Sequence, residues 1–172
     1  DVDPILEALE QAMYEVSKVK KGTRRRRPSA PYTTSTMQQD AAGQLRFSAK
    51  KSMRLAQQLY EGIDLGEDEV EGLITYMRTD STNVSEQAQA EVRELVKDTY
   101  GEEFLPEEPP IYKTKSKAAQ EAHEAIRPTS VFRTPYKVKP YLNRSQYRLY
   151  RMIWQRFVAS QMKPAVYDTL RV

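Results

Sequence analysis

The spacing of apolar residues predicts one long, buried helix near the C-terminal end of the chain. Its apolar positions are Tyr150, Ile153, Trp154, Phe157 and Val158. These positions follow the i, i+3, i+4, i+7, i+8 pattern of a single helix face. Asn143 or Ser145 can cap the start of this helix, which runs to about Met162, and Pro164 stops it. The face is expected to form core rather than to bind a ligand.

The same reading predicts further helices over 3–11, 37–42, 49–60, 86–100 and 118–125. Their expected caps are Asp1 or Asp3, the hydroxyl run 33–36, Ser48 and Ser85. Gly43 is expected to end or bend the second of these helices. In the helix over 49–60, the predicted apolar stripe is Met53, Ala56, Leu59 and Tyr60.

A strand is predicted over 14–20, a short strand or extended segment over 72–77, and the alternation of residues 166–172 predicts a further strand at the end of the chain. Residues 20–32 are expected to be extended or loop, and residues 131–141 are expected to form an extended loop. The fold class is therefore mainly α (α+β), a helical domain of helix-turn-helix or CAP-like type with short strands and β segments at both chain ends.

Composition excludes several kinds of protein. The chain of 172 residues has no cysteine and one histidine, which excludes disulfides, thiolate metal sites and multi-histidine metal sites. No apolar run approaches the roughly 18 residues of a membrane span. We therefore expect no membrane partner, and the absence of cysteine fits a cytoplasmic protein.

Charge is divided into blocks along the chain. Residues 13–60 carry eleven bases and two acids, 61–108 carry three bases and fifteen acids, and 109–172 carry thirteen bases and three acids. Segregated basic stretches favour a polyanion through counterion release. The run Arg24, Arg25, Arg26 and Arg27 predicts either phosphate contact or a solvated linker. Lys50 and Lys51, near the start of a predicted helix, suggest an external anion or simple exposure.

Candidate chemistry lies in the segment ITYMRTDST at 74–82. In an extended segment Tyr76, Arg78 and Asp80 project to one side, because side chains alternate with a period of two. A guanidinium beside a phenol favours the phenolate and can bind a phosphate oxygen. The plainer interpretation is an exposed tyrosine near a structural arginine. His123, the only histidine, is either a surface residue or a group that contacts phosphate or moves a proton.

Three strings together resemble bacterial DNA topoisomerase I of the type IA family. They are APYTTSTMQQDA at 30–41, ITYMRTDST at 74–82 and EAHEAIRPT at 121–129, in that order. The resemblance implies that Tyr76 attacks a single DNA strand, forming a 5′-phosphotyrosyl link and leaving a free 3′-hydroxyl. It implies that Arg78 positions the scissile phosphate and that His123 lies near it. Strand passage and resealing without ATP would then relax negative supercoils.

The resemblance also implies a division of the chain and a set of DNA contacts. Residues 1–36 and 163–172 would be the entering and returning segments of an arch, and 37–162 the catalytic-tyrosine domain. The residues expected to contact DNA are Arg24, Arg25, Arg26, Arg27, Thr34, Ser35, Thr36, Gln38, Gln39, Lys50, Lys51, Asp80 and Arg127.

The remaining expectations concern what lies outside this chain. The acidic Mg²⁺ ligands of the family belong to a domain N-terminal to this stretch, so the chain is expected to be a fragment that does not relax supercoils alone. Its expected partners are single-stranded and negatively supercoiled DNA and the other domains of the same enzyme. The alternative is a non-catalytic helix-turn-helix module that binds DNA, and a third hypothesis is a structural domain with incidental basic patches.

Overall fold

A computed structural model describes residues 2–66, 70–112 and 123–172. The helices are α1 (Asp3–Glu10), α2 (Thr34–Asp40), α3 (Ala49–Glu61), α4 (Glu86–Thr99), α5 (Pro135–Val138) and α6 (Arg144–Ser160). The strands are β1 (Lys20–Arg26), β2 (Ile63–Asp64), β3 (Val70–Glu71) and β4 (Ala165–Arg171). The fold is mainly α with short strands, as the sequence predicts, and these strands form two small antiparallel sheets, β1 with β4 and β2 with β3, among the described residues.

The chain forms two compact units. We name them by their place in the sequence: the outer unit contains the two chain ends, Asp1–Arg26 and Pro164–Val172, and the inner unit contains the stretch between them, Arg27–Lys163. The assignment of the chain ends to an arch, and of 37–162 to a tyrosine domain, stays a prediction.

In the outer unit, β1 pairs antiparallel with β4, with Lys20 opposite Arg171 and Arg26 opposite Ala165. The strand predicted over 14–20 is wrong in its bounds, because the strand begins at Lys20 and lies in the stretch expected to be extended or loop. All seven residues of β1 are exposed, so no hydrophobic alternation marks it, and backbone pairing with β4 determines its conformation. The first helix, α1, follows Val2 and begins at Asp3, which therefore is not its cap.

In the inner unit, α6 supplies the largest part of the core. Its predicted apolar face is buried, with Ile153 0% and Phe157 1% exposed. The side chain of Asn143 accepts hydrogen bonds from the backbone of Ser145 and Gln146, which confirms the predicted cap. Gln146 Oε1 in turn accepts from the backbone N–H of Asn143 at 3.0 Å, which completes a capping box.

The segment before α6 is not the extended loop predicted over 131–141. It contains α5 and a 3₁₀ turn, Lys139–Tyr141. Two side chains of α6 donate hydrogen bonds to the backbone of the segment 131–141. Trp154 Nε1 donates to the Val131 carbonyl at 2.9 Å, and Tyr150 Oη donates to the Arg133 carbonyl at 2.5 Å. The signal for α5 is local, since Pro135 is its first residue and the Thr134 side chain caps it by accepting from the Lys137 backbone N–H.

Two helices of the inner unit begin at predicted caps. Thr33 accepts from the backbone of Thr36 at the start of α2, and Ser48 accepts from that of Lys51 at the start of α3. At Gly43 the chain does not leave the helix, since a π-helical turn, Ala41–Leu45, continues α2. It ends at Arg46, whose φ of 60° lies in the left-handed region.

The segment 72–77 is extended and forms one isolated bridge, Ile74 to Pro128, which agrees with the prediction of a short strand or extended segment. Two other predictions need correction or fall outside the described residues. The helix predicted over 118–125 lies mainly outside the described residues, and its described part, 123–125, is not helical. Ser85 precedes α4 but its side chain makes no capping bond. Among the described residues, no helix is long and apolar enough to cross a membrane.

Candidate functional site

The segment that carries Tyr76 is hydrogen-bonded to the segment that follows His123. The Thr75 backbone N–H donates to the Arg127 carbonyl at 2.9 Å, and Thr75 Oγ1 donates to the Ala125 carbonyl at 2.7 Å. Thr75 Oγ1 also accepts from the Arg127 backbone N–H at 3.0 Å. Two of the sequence motifs are therefore joined at the residue directly before Tyr76.

The third motif is joined to the same segment through Thr34. Thr34 Oγ1 donates to the Met77 carbonyl at 2.7 Å and accepts from the Thr79 backbone N–H at 2.9 Å. The Thr34 backbone N–H donates to the Thr79 carbonyl at 2.9 Å. One threonine thus fixes the backbone on both sides of Arg78.

Side chains along this extended segment alternate between core and surface. Met77, Thr79 and Ser81 are buried, whereas the side chains between them are exposed. The exposed positions are Tyr76, Arg78 and Asp80. Their placement on one side matches the prediction from the period of two.

The Tyr76 ring contacts the ring of Tyr60, the penultimate residue of α3. The ring centroids are 5.2 Å apart and the planes are inclined at 62°. Sequence reasoning placed Tyr60 on the buried stripe of α3, but its side chain is 40% exposed. The sequence analysis did not predict this contact between the two rings. The residue that could have indicated it is Gly72, because an added Cβ there would lie 2.5 Å from the Tyr60 carbonyl oxygen, so only glycine allows the two segments to approach so closely.

Next to His123, the carboxylate of Glu124 links two elements. Its Oε1 accepts from the Ser85 backbone N–H at 2.8 Å, at the start of α4, and its Oε2 accepts from Arg127 Nη2 at 2.6 Å. Burial alone would raise the pKa of Glu124, but the hydrogen bonds from Ser85 and Arg127 outweigh it and lower the pKa. His123 itself is exposed.

The side chain of Arg127 is largely inside the fold. It is 12% exposed, pairs with Glu124 and donates through Nη1 to the Pro128 carbonyl at 2.9 Å. These contacts position the segment after His123. The sequence-based expectation of a DNA contact at Arg127 is not tested by this geometry.

The other residues expected to contact DNA are distributed over both units. Arg24, Arg25 and Arg26 lie on exposed β1 in the outer unit, and Arg27 begins the inner unit. On α2, Ser35 and Gln39 are exposed, Gln38 is half-buried, and Thr36 Oγ1 accepts from the Thr33 backbone N–H at 2.9 Å. On α3, Lys50 is exposed, and Lys51 Nζ lies 4.0 Å from the centroid of the Phe47 ring.

The described residues do not fit a metal site. Nowhere in 2–66, 70–112 or 123–172 do three His, Asp or Glu side chains come together in a way that could hold a metal ion. No step of a reaction is therefore assigned to a metal at these residues.

The fold and this site define a mainly α domain that presents a tyrosine, an arginine and a carboxylate on one exposed segment. The family model described as DNA topoisomerase matches residues 1–172. The chain belongs to this DNA topoisomerase family, and the resemblance to the bacterial type IA enzymes is confirmed.

Individual relatives agree with the family. The chain is 50% identical over 167 residues to DNA topoisomerase 1 of Xylella fastidiosa strain 9a5c, covering 97% of this chain and 20% of that protein. It is 52% identical over 162 residues to the protein of the same name from strain Temecula1, covering 94% and 20%. The full-length topoisomerase I structure from Thermotoga maritima superposes with a TM-score of 0.82 at 43% identity, covering 99% of this chain and 27% of that one. The chain spans about a fifth of the length of these curated relatives.

Proposed function

We propose that this chain is the tyrosine-bearing part of a type IA DNA topoisomerase and that Tyr76 is its nucleophile. The observation that carries the proposal is the segment 76–80. It exposes Tyr76, Arg78 and Asp80 to one side, while Thr34 bonds to its backbone and Thr75, directly before it, bonds to Ala125. A nucleophile must be accessible to its phosphate and held by a rigid support.

The reaction is an exchange of one phosphodiester for another. The Tyr76 phenolic oxygen forms a bond to phosphorus and loses its proton, and the bond from phosphorus to the 3′ oxygen breaks. The 3′ oxygen leaves and takes up a proton, so the products are a 5′-phosphotyrosyl link and a free 3′-hydroxyl. Because the phosphodiester bond is conserved, the reverse reaction reseals the strand without ATP.

Arg78 and His123 would act on the phosphate. A guanidinium presents paired N–H donors to phosphate oxygens and stays charged at any working pH. The exposed Arg78 therefore positions the scissile phosphate and stabilises its developing charge. His123 donates a hydrogen bond to the phosphate or moves a proton at the leaving oxygen.

The wider proposal concerns the longer protein that contains this chain. That protein would bind single-stranded DNA, pass a strand through the break and relax negative supercoils in the cytoplasm. Mg²⁺ would be held by its other domains, and this chain alone would bind DNA without relaxing supercoils. DNA contacts would come from the exposed residues of α2 and α3, from Asp80 and from the arginines of β1.

The test is a covalent adduct on single-stranded DNA labelled at its 3′ end. The label stays with the strand whose 5′ phosphate joins the protein. The chain is combined with its remaining domains and Mg²⁺, and the reaction is stopped with detergent. Tyr76→Phe keeps the ring, removes the phenolic oxygen and is expected to abolish the adduct. Tyr60→Phe is the matched control, because it removes a neighbouring phenolic oxygen and should leave the adduct.

Two results would contradict the proposal. An adduct that persists in Tyr76→Phe would assign the nucleophile elsewhere. No adduct in the unaltered protein, with DNA binding retained, would favour the non-catalytic DNA-binding module.

A further inference from the structure

One face of the inner unit carries cations that α3 and α6 bring together. We call it the basic face and define it by Lys50, Lys51 and Arg54 on α3 and Arg144, Arg148 and Arg151 on α6. The three arginines of α6 were not among the residues expected from sequence to contact DNA.

The charged residues of α6 are all positive, and most of them lie on one side of the helix. This helix of 17 residues contains four arginines and no acid. Arg144, Arg148 and Arg151 follow the i, i+4, i+7 spacing of a single stripe. The fourth, Arg156, lies apart and has its own partner, because its Nη1 pairs with Asp40 at 3.2 Å.

Two aromatic rings contact three cations of the basic face, and one of these rings also contacts Lys139. Around Phe47, Lys51 Nζ lies 4.0 Å and Arg148 Cζ 5.3 Å from the ring centroid. The Phe47 ring therefore joins the beginning of α3 to α6. Around Tyr147, Lys139 Nζ lies 5.8 Å and Arg151 Cζ 5.9 Å from the centroid. Such cation–π contacts orient the charges without neutralising them.

Carboxylates do not compensate this face within the part of the chain that the structure describes. There, none of the six cations forms an ion pair, whereas Arg127 and Arg133 each pair with a glutamate. Like charges held together repel one another, and a bound polyanion relieves that repulsion. A concavity of about 400 Å³ is lined by Ser48, Lys50, Lys51 and Arg54, so the surface also offers room for an anionic group.

We propose that the basic face binds the phosphate backbone of DNA as a surface additional to the site at Tyr76. It extends the proposed function, since the last turn of the same α3 places Tyr60 against Tyr76. Lys51 lies nine residues before Tyr60, which is about 14 Å along a helix at 1.5 Å per residue. Measured along the helix axis, that separation corresponds to about four nucleotides of one DNA strand at about 3.4 Å each.

Salt dependence of DNA binding tests this surface. Affinity for an oligonucleotide is measured from low to moderate salt in a Tyr76→Phe background, which keeps binding separate from any covalent step. The double variant Arg148→Gln/Arg151→Gln is expected to flatten the plot of log affinity against log salt. The slope should fall by about 0.9 for each lost phosphate contact on duplex DNA, or about 0.7 on a single strand.

Two further variants test whether the slope depends on where the charge lies and on the charge itself. Lys97→Gln removes one positive charge from the exposed side of α4, where Lys97 pairs with Glu102 at 3.5 Å, and should leave the slope unchanged. Arg148→Lys/Arg151→Lys retains the charge and should retain the slope. An unchanged slope in the double glutamine variant would overturn the proposal. An equal drop per removed charge in Lys97→Gln would also overturn it, because net charge rather than this face would then govern binding.

Discussion

The aromatic rings of Tyr60 and Tyr76 form an edge-to-face contact, with their centroids 5.2 Å apart. The contact exists because the segment after α3 turns back on the helix: the Leu73 N–H donates to the Leu59 carbonyl at 2.7 Å. Tyr76 is still 45% exposed. The proposed nucleophile is therefore restricted in its ring orientation and remains accessible to DNA.

Replacing Tyr60 is expected to slow adduct formation at Tyr76. An edge-to-face pair contributes about 0.5–1.5 kcal/mol, so Tyr60→Leu should lower the single-turnover rate of adduct formation by roughly two- to tenfold. Tyr60→Phe keeps the ring and should stay close to the unaltered rate. DNA affinity is measured in parallel and should change little. Equal losses in the phenylalanine and leucine variants would show that the Tyr60 hydroxyl, and not the ring contact, matters.

Gly72→Ala is expected to destabilise the inner unit. Its Cβ would lie 2.5 Å from the Tyr60 carbonyl oxygen, a backbone atom that cannot rotate away. Overpacking of this kind costs about 1–3 kcal/mol, measurable as a lower midpoint of denaturant unfolding. Gly43→Ala is the control, since nothing lies within 4 Å of its added Cβ. If Gly72→Ala left the midpoint unchanged, the close approach of the two segments would be wrong.

Thr34→Val is expected to loosen the segment 77–79. Valine keeps the shape of threonine but loses the hydroxyl that donates to the Met77 carbonyl and accepts from the Thr79 N–H. Leaving such groups unpaired costs about 1–3 kcal/mol of stability. Faster amide hydrogen exchange at Thr79 would report the loss locally. Ser35→Ala, on the exposed side of the same helix, should not change exchange at Thr79. If Ser35→Ala accelerated this exchange as much as Thr34→Val, the hydrogen bonds of Thr34 would not be the cause.

Sequence reasoning succeeded where local chemistry determines structure. The apolar period of α6 and the hydrogen-bonding side chain of Asn143 predict a helix that needs no knowledge of its neighbours. The alternation through Tyr76 and Arg78 likewise follows from the chain itself. Both signals arise within a few residues, so they are readable in a linear sequence.

It failed where distant segments decide the outcome. Strand β1 has no apolar period and exists through its pairing with β4 at the other end of the chain. Tyr60 has the right spacing for the buried stripe of α3, but it lies in the last turn and meets the Tyr76 ring instead of the core. The bonds from Thr75 to Ala125 and Arg127 join segments 50 and 52 residues apart, which no local pattern reveals.

Glu124 is expected to make the inner unit sensitive to acid. Hydrogen bonds from Ser85 and Arg127 lower its pKa despite burial. The unfolded chain therefore binds more protons than the folded one in acid, so this stabilisation is present above the unfolded pKa of about 4.3 and is lost as pH falls through the folded pKa. Glu124→Gln should reduce the dependence of unfolding free energy on pH below about 5. Glu103→Gln, at an exposed position, should not.

Stability at alkaline pH tests the burial of the Tyr32 hydroxyl. Burial, followed by its hydrogen bond to Asp40 and the charge of that carboxylate, raises the pKa of Tyr32 well above the ordinary value of 10. The folded chain keeps this proton where the unfolded chain releases it, so stability should fall as pH rises above about 10. Tyr32→Phe cannot ionise and should show a shallower decline in unfolding free energy between about pH 10 and 11. Tyr14→Phe, at a tyrosine that is 75% exposed, should leave the decline unaltered; a change of equal size in both variants would mean that burial of Tyr32 is not its cause.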